Sequence, residues 1–222
     1  DVAPHYLPDG RIVFSSTRQR QARAILLDEG KPQFAAQDED RAEPAFVLHV
    51  MNGDGSGLRQ ISFNQSHDLD PAVLDDGRIV FSRWENAGPN NEINLYTVRP
   101  DGTGLELLYG AQSHATGTDG SDVQFFDPRP ATSGRVVALA QPFRAPDLGA
   151  QVLEIDVGNY VENTQPTLPN RGVLGGPAQV PATINVVSTL AGPSPGGRYS
   201  SAFPLRDGTG RLLVTWTQCR LV

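Results

Sequence analysis

Leu74-Asp75-Asp76-Gly77-Arg78-Ile79-Val80-Phe81-Ser82 joins a turn signal to a run of strand formers. Asp76-Gly77 is a turn pair, because glycine takes positive φ without a Cβ clash. The apolar run that follows favours a pleated, half-buried strand. The same phrase occurs earlier as Leu7-Pro8-Asp9-Gly10-Arg11-Ile12-Val13-Phe14-Ser15, and Asp-Gly-Arg-Ile-Val-Phe-Ser is identical in both at an offset of 67 residues. Fainter echoes are Gly134-Arg135-Val136-Val137-Ala138-Leu139 and Asp207-Gly208-Thr209-Gly210-Arg211-Leu212-Leu213-Val214. Self-similarity at fixed spacing marks a repeat architecture. Strand alternation puts Ile12 and Phe14 on one face, Val13 and Ser15 on the other.

Upstream of each turn lies a short strand ending near proline, since Asp1-Val2-Ala3-Pro4 matches Asp68-Leu69-Asp70-Pro71. Downstream comes a hairpin. Val47-Leu48-His49-Val50-Met51 and Leu58-Arg59-Gln60-Ile61 flank the turn Asn52-Gly53-Asp54-Gly55-Ser56-Gly57. It recurs at an offset of 47 residues as Asn94-Leu95-Tyr96-Thr97-Val98, Arg99-Pro100-Asp101-Gly102-Thr103-Gly104 and Leu105-Glu106-Leu107-Leu108. An insertion at 17–45 accounts for the difference between the offsets. It carries Arg18, Arg20, Arg23, Asp38-Glu39-Asp40 and Glu43, and residues 22–27 are expected as a short strand or helical turn. The simpler reading of this segment is a solvated charged loop; the other is a partner-binding flap. Without it the unit approaches the about 40–45 residues of a four-stranded propeller blade.

The expected fold is therefore all-β: a β-propeller of four-stranded blades, about three and a half of them present. Blade 1 spans 1–62 with its insertion and blade 2 spans 66–110. Blade 3 spans 120–158, with strands at 123–126, 135–140 and 151–156. An irregular segment at 159–197 holds a strand at 182–187, and a partial blade 4 occupies 198–222 with strands at 201–205 and 212–216. Blades bury their faces only against neighbours, so either further blades or a partner protein should complete the ring.

Composition narrows the partners. The 222 residues carry a net charge of −7 with pI about 5.0, and no basic stripe is present, which argues against nucleic acid. Lys31 is the lone lysine. The 23 glycines and 18 prolines fall at turns between apolar runs rather than in a disordered tract. Cys219 is the single cysteine, so no internal disulfide forms and no Cys-x-x-Cys-His haem-attachment motif exists. No apolar run has the length of a membrane span. Asp1 enters in mid-repeat, and a targeting segment is expected either to have been removed or to lie upstream of it.

Leu7 to Arg18, together with Met51-Asn52-Gly53-Asp54-Gly55-Ser56-Gly57-Leu58-Arg59-Gln60-Ile61, resembles the TolB-like (PD40, WD40-like) β-propeller repeat. The likeness covers residues 1–108 well and the rest weakly. It implies six or seven blades and a periplasmic or secreted bacterial protein, and it specifies fold rather than function. A narrower likeness rests on Arg59 to Pro71, on Phe81-Ser82-Arg83-Trp84-Glu85 and on Gly197 to Leu205. These are similar to proteins related to the hydrazine synthase alpha subunit, which join a propeller to other domains, some with c-type haem. The haem motif is absent here, so no cofactor is expected in this segment, and haem or metal is left to residues elsewhere in a longer chain.

The candidate site residues are His67, His114, Asp68 and Asp70. Gln65-Ser66-His67 and Gln112-Ser113-His114 stand at the hairpin offset, each between an outermost and an innermost strand. With Asp119 and Asp122 near in sequence, imidazoles and carboxylates of this kind form zinc-type ligand sets. The competing reading makes each histidine a structural group bonded to backbone, and the repeat spacing favours it. Three other features have plainer readings. Asn52 to Ser56 imitates the start of a calcium loop, but Phe63 stands where the bidentate acid belongs, leaving a hairpin turn. Gly192-Pro193-Ser194-Pro195-Gly196 matches a nucleophile elbow only formally, because its prolines deny it the strand and helix it needs. Trp84 and Trp216 end apolar strands and are expected to pack between blades, and Cys219 has no nearby base to activate it.

Two functional readings follow. The first is an extracytoplasmic binding scaffold for a protein or ligand, without its own catalysis. The alternative is the propeller portion of a larger secreted oxidoreductase related to the hydrazine synthase alpha subunit.

Overall fold

The computed structural model describes residues 1–18, 45–64, 66–87, 90–143 and 149–218. The predicted insertion strand or turn at 22–27, Gln65 and Cys219 lie outside the described residues.

The chain is all-β, built mainly as successive antiparallel sheets. The first contains β1 (Val2–Tyr6), β2 (Ile12–Ser16), β3 (Val47–Met51) and β4 (Arg59–Gln60), hydrogen-bonded in that order. The second repeats it with β5 (Asp68–Val73), β6 (Ile79–Ala87), β7 (Asn90–Val98) and β8 (Glu106–Tyr109). The third contains β9 (Gln124–Pro130), β10 (Val136–Gln141) and β11 (Gln151–Ile155). Between β11 and the fourth strand of that sheet runs a small hairpin, β12 (Tyr160–Glu162) and β13 (Gln165–Pro166). The fourth strand is β14 (Gln179–Pro181), on the far side of β11. A two-stranded sheet, β15 (Arg198–Pro204) with β16 (Leu212–Thr217), follows.

The repeated phrase folds the same way both times, down to the atom. In the first copy Leu7 N–H donates to Arg11 O (2.8 Å) and Gly10 N–H to Leu7 O (3.0 Å). In the second, Leu74 N–H donates to Arg78 O (2.8 Å) and Gly77 N–H to Leu74 O (2.9 Å). Arg11 donates from its backbone N and its Nε to the two oxygens of Asp9, and Arg78 does the same to Asp76. Gly10 and Gly77 have φ of 83° and 82°, the left-handed conformation this turn requires. The β3–β4 and β7–β8 turns also share their chemistry: Asp54 accepts from Ser56 N and Oγ, and Asp101 accepts from Thr103 N and Oγ1.

The first strand of each repeat carries a second shared device. Register slips between Val2 and His5 in β1 and between Leu69 and Ala72 in β5, and β10 shows the matching slip opposite β9. At these bulges Ala3, Asp70 and Asp127 take φ of 50°, 53° and 48°, and each precedes a proline. A bulge before proline leaves no donor to be stranded by the broken ladder.

Two compact units result, Asp1–Glu92 with Tyr96–Glu106, and Ile93–Leu95 with Leu107–Val222. In the first, Val13, Leu48, Val50, Ile79, Phe81 and Val98 form one buried cluster. Val13 and Val50 are register partners, whereas Phe14 and its partner His49 stack on the opposite face of that sheet, as alternation requires. In the second unit, Val137, Leu139, Val152, Tyr199 and Ala202 form another cluster. Ala150 and Tyr199 exchange backbone hydrogen bonds of 2.7 and 3.0 Å there.

Two expectations are corrected. Residues 182–187 are not a strand. Ala182 N–H makes a last bond to Val152 O (2.9 Å), after which Ile184 and Val186 stand exposed. β-Branched side chains favour a strand only when paired into a sheet, and among the described residues the ladder on β11 ends at this point. The other correction is Trp216, which is 44% exposed instead of packed like Trp84 at 4%.

Candidate functional site

A dense polar cluster of the first unit forms where β4 hands over to β5. Asp68, the first residue of β5, has no solvent exposure. Its Oδ2 accepts from Ser62 Oγ (2.5 Å), and its Oδ1 accepts from Asn64 Nδ2 (3.1 Å) and Arg83 (3.4 Å). Ser62 Oγ in turn accepts from Leu48 N–H (2.8 Å), so β3 is tied to β5 through two side chains. Asp68 N–H donates to Phe46 O (2.8 Å), and Ser15 Oγ donates to Asp68 O (2.9 Å). Burial pushes the Asp68 carboxyl up to about 6, against the opposing pull of Arg83, Ser62 and Asn64.

His67 stands beside it. Its Nδ1 accepts from Phe46 N–H (3.1 Å), which fixes the neutral tautomer with the proton on Nε2. The ring stacks on Trp84, with centroids 5.6 Å apart and planes 9° from parallel. Trp84 Nε1 donates to Asn91 Oδ1 (2.6 Å), and Asn64 Nδ2 also reaches His67 O and Trp84 O. On β6 and β7, Arg83 lies over the Tyr96 ring at 5.5 Å, and Tyr96 donates its hydroxyl to Glu85 Oε1 (2.5 Å). Burial foremost, then Glu85, raises the Tyr96 hydroxyl well above its ordinary value.

His114 has different partners. Its Nδ1 lies 2.6 Å from Val123 O and its Nε2 lies 2.9 Å from Asn94 Oδ1. Beside it, Gln112 N–H and Ser113 Oγ both donate to Glu162 Oε2 (3.0 and 2.6 Å). Asp119 and Asp122 are exposed, and Asp70 sits at the β5 bulge. Thus the structure brings His67 and Asp68 into one network, while His114 answers to a separate set of residues. Among the described residues, no three His, Cys, Asp or Glu side chains gather as a metal-binding group.

The remaining motifs resolve simply. The Asn52 to Ser56 segment is a closed turn, with Asn52 N–H on Ser56 O (2.8 Å). Ser194 accepts from Ser188 N–H (2.9 Å) and is buried, with no strand before it and no helix after it. His49 is the buried histidine that sequence reading passed over. Its two ring nitrogens face Val47 O (3.0 Å) and Arg18 O (2.5 Å), and burial lowers its basicity. Strand alternation, which opposes His49 to Phe14, was the available signal.

Chemically, the Asp68 network can hold strands in register but cannot act on a solute, because its carboxylate is sealed from solvent. Arg83, Glu85 and Tyr96 retain some exposure, as do Asn64 and His67.

No protein-family model matches the chain, and no curated protein matches it. Among solved structures the chain is similar to Kuenenia stuttgartiensis hydrazine synthase, at 20% identity and a TM-score of 0.60. The match covers 94% of this chain and 25% of that one, so the chain spans about a quarter of the length of that relative. A likeness of this degree establishes a shared fold and no more. No helix among the described residues is long and apolar enough to cross a membrane.

Proposed function

We propose that this chain is part of a TolB-like β-propeller that works outside the cytoplasm of a bacterium as a binding scaffold. In this reading the three four-stranded sheets are consecutive blades, and β15–β16 opens a fourth in a six- or seven-bladed ring. The observation that supports it most is the repeated sheet, in which an Asp-Gly-Arg turn joins the first two strands and an Asp-Gly-(Ser/Thr)-Gly turn the last two. The sealed Asp68 network supports a structural rather than catalytic use of the buried polar groups. The scaffold's target is a protein or ligand held on the ring, with no cofactor bound by these residues.

The structural likeness to hydrazine synthase favours a second reading, in which the propeller is one portion of a larger secreted oxidoreductase. The haem or metal would then sit on other residues of that protein. Intact mass, haem absorbance and metal content of the native protein separate the two. A chain near 23.9 kDa without cofactor, recovered from the extracytoplasmic fraction with a partner, supports the scaffold. A much larger chain carrying haem supports the enzyme portion, and recovery from the cytoplasm refutes both.

A further inference from the structure

Asn52-Gly53 is the one Asn-Gly pair in the 222 residues. It opens the β3–β4 turn, where both residues are exposed. Asparagine before glycine is a chemically labile pair, because the glycine nitrogen can attack the side-chain amide with no Cβ in its way. In a folded chain the reaction depends on whether turn bonds occupy that nitrogen.

In this turn they do not. Asn52 N–H donates to Ser56 O (2.8 Å) and Gly55 N–H to Asn52 O (2.9 Å), while Gly53 N–H donates to nothing among the described residues. The Asn52 side chain makes a single bond, from Nδ2 to Ser56 Oγ (2.9 Å). The aspartate-glycine pairs differ. In Asp9-Gly10, Asp54-Gly55, Asp76-Gly77, Asp101-Gly102 and Asp119-Gly120 the glycine N–H donates to the carbonyl three residues back, at 2.8–3.0 Å. At Asp207-Gly208 the carboxyl is held ionised by Thr209 and Arg211, which makes it a poor target for a nitrogen. The second hairpin carries Arg99-Pro100 at the place of Asn52-Gly53. It is closed by the matching bonds, Arg99 N–H to Thr103 O (2.9 Å) and Gly102 N–H to Arg99 O (2.8 Å). Proline has no N–H, so that copy lacks both reactants.

We propose that Asn52-Gly53 is a site of spontaneous deamidation, at which the first sheet ages and the second does not. The Gly53 nitrogen bonds to Asn52 Cγ, the Cγ–Nδ2 bond breaks, and Nδ2 leaves as ammonia with the proton that Gly53 gives up. Water then opens the cyclic imide at either carbonyl, leaving aspartate or isoaspartate at position 52. Both products disturb the turn. Aspartate presents an acceptor to Ser56 Oγ, whose one proton is already given to Asp54 Oδ1 (2.7 Å). It also puts a second carboxylate against the hydroxyl that Asp54 holds. Isoaspartate adds a main-chain atom between β3 and β4, whose ladder has only the pairs His49 with Gln60 and Val50 with Arg59. Modification therefore loosens β4 from its sheet and leaves β8 in place. The inference rests on the β3–β4 turn alone and stands apart from the scaffold and enzyme readings.

The 222-residue protein is incubated in mildly alkaline buffer, folded and in urea, and its tryptic peptide 42–59 is followed by mass and by fragmentation that distinguishes isoaspartate. The expected result is replacement of the Asn52 amide NH2 by OH, at a folded rate within about tenfold of the rate in urea. A pair locked by its turn would react only through global unfolding, slower by about a thousandfold or more. A Gly53→Pro chain, copied from the second hairpin, should keep the peptide unchanged. The modified fraction, separated by its added negative charge, should exchange amides 59–61 about tenfold faster or more, with 106–109 unaltered. A folded rate more than about tenfold below the urea rate overturns the inference. So does a Gly53→Pro chain that converts equally, since the glycine nitrogen is then not the nucleophile. Unaltered exchange at 59–61 in the modified fraction overturns the loosening of β4.

Discussion

Replacing Asp68 by asparagine should remove a contribution to the first unit's stability that falls as pH rises. The carboxyl is fully buried, and its proton affinity corresponds to about 6 in the folded state against 3.8 for the free group. A difference of about two pH units is worth about 3 kcal/mol at about 1.4 kcal/mol per unit. Because the folded state holds this proton more tightly, the contribution favours folding fully below about pH 4. It is lost as the pH rises through about 6. Above that point the folded protein carries an ionised carboxylate in a site where desolvation outweighs Arg83 at 3.4 Å and the donors Ser62 and Asn64. That balance is common for buried ion pairs, whose attraction often fails to repay the loss of water.

The assay is urea unfolding from pH 4 to 7 of the wild type and Asp68→Asn, both in a Trp216→Phe background so that Trp84 alone reports. Asparagine does not titrate, and the exposed aspartates of the turns, whose proton affinities are lowered by their own arginine, serine or threonine donors, cancel in the difference. The wild type should lose about 3 kcal/mol relative to the variant across this range. A flat difference, or a wild type that gains with rising pH, would refute the claim that desolvation dominates at Asp68. Complete removal in Asp68→Ala should be more damaging at every pH, by about 3–5 kcal/mol, because Arg83 and Ser62 lose their partner.

Other expectations can be checked by the same unfolding measurements. Trp84→Ala should cost about 3–5 kcal/mol because the indole is buried against His67, whereas Trp216→Ala should cost about 1 kcal/mol or less at its exposed site. Gly110→Ala should cost about 1–3 kcal/mol, since φ is 125° and a Cβ would come within 2.9 Å of Asn94 Oδ1 and Phe125 Cδ2. Ala3→Gly should stabilise by up to about 1 kcal/mol by relieving a left-handed alanine at the β1 bulge. Asp76→Ala should cost only about 0.5–1 kcal/mol, because the Arg78 clamp is half exposed and screened, with the loss coming mainly from the backbone N–H it leaves without an acceptor.

What the sequence disclosed is what short segments control. The Asp-Gly-Arg and Asp-Gly-(Ser/Thr)-Gly turns are closed by their own side chains, so identical letters yield identical bonds. The outer strand of the third sheet escaped notice because Gln179–Pro181 is three residues long, too short to show alternation, and is recruited from far along the chain by pairing with Leu153 to Ile155. His67 and His114 show the deeper limit. They match at the hairpin offset, but their partners do not repeat with them: Asn64, Asp68 and Phe46 are replaced at the same offset by Ala111, Ala115 and Ile93. Phe46 N–H bonds His67, whereas Ile93 N–H bonds Gln124 Oε1 at 2.6 Å. Likewise Asp1 holds Ser16 Oγ at 2.6 Å where its counterpart Asp68 holds Arg83. The shared residues therefore build the backbone of each sheet, and the residues that differ between copies decide its local chemistry. Whatever distinguishes one face of such a protein from another has to be sought among the differing residues, and Arg83, Glu85 and Tyr96 on the extended β6–β7 pair are of that class.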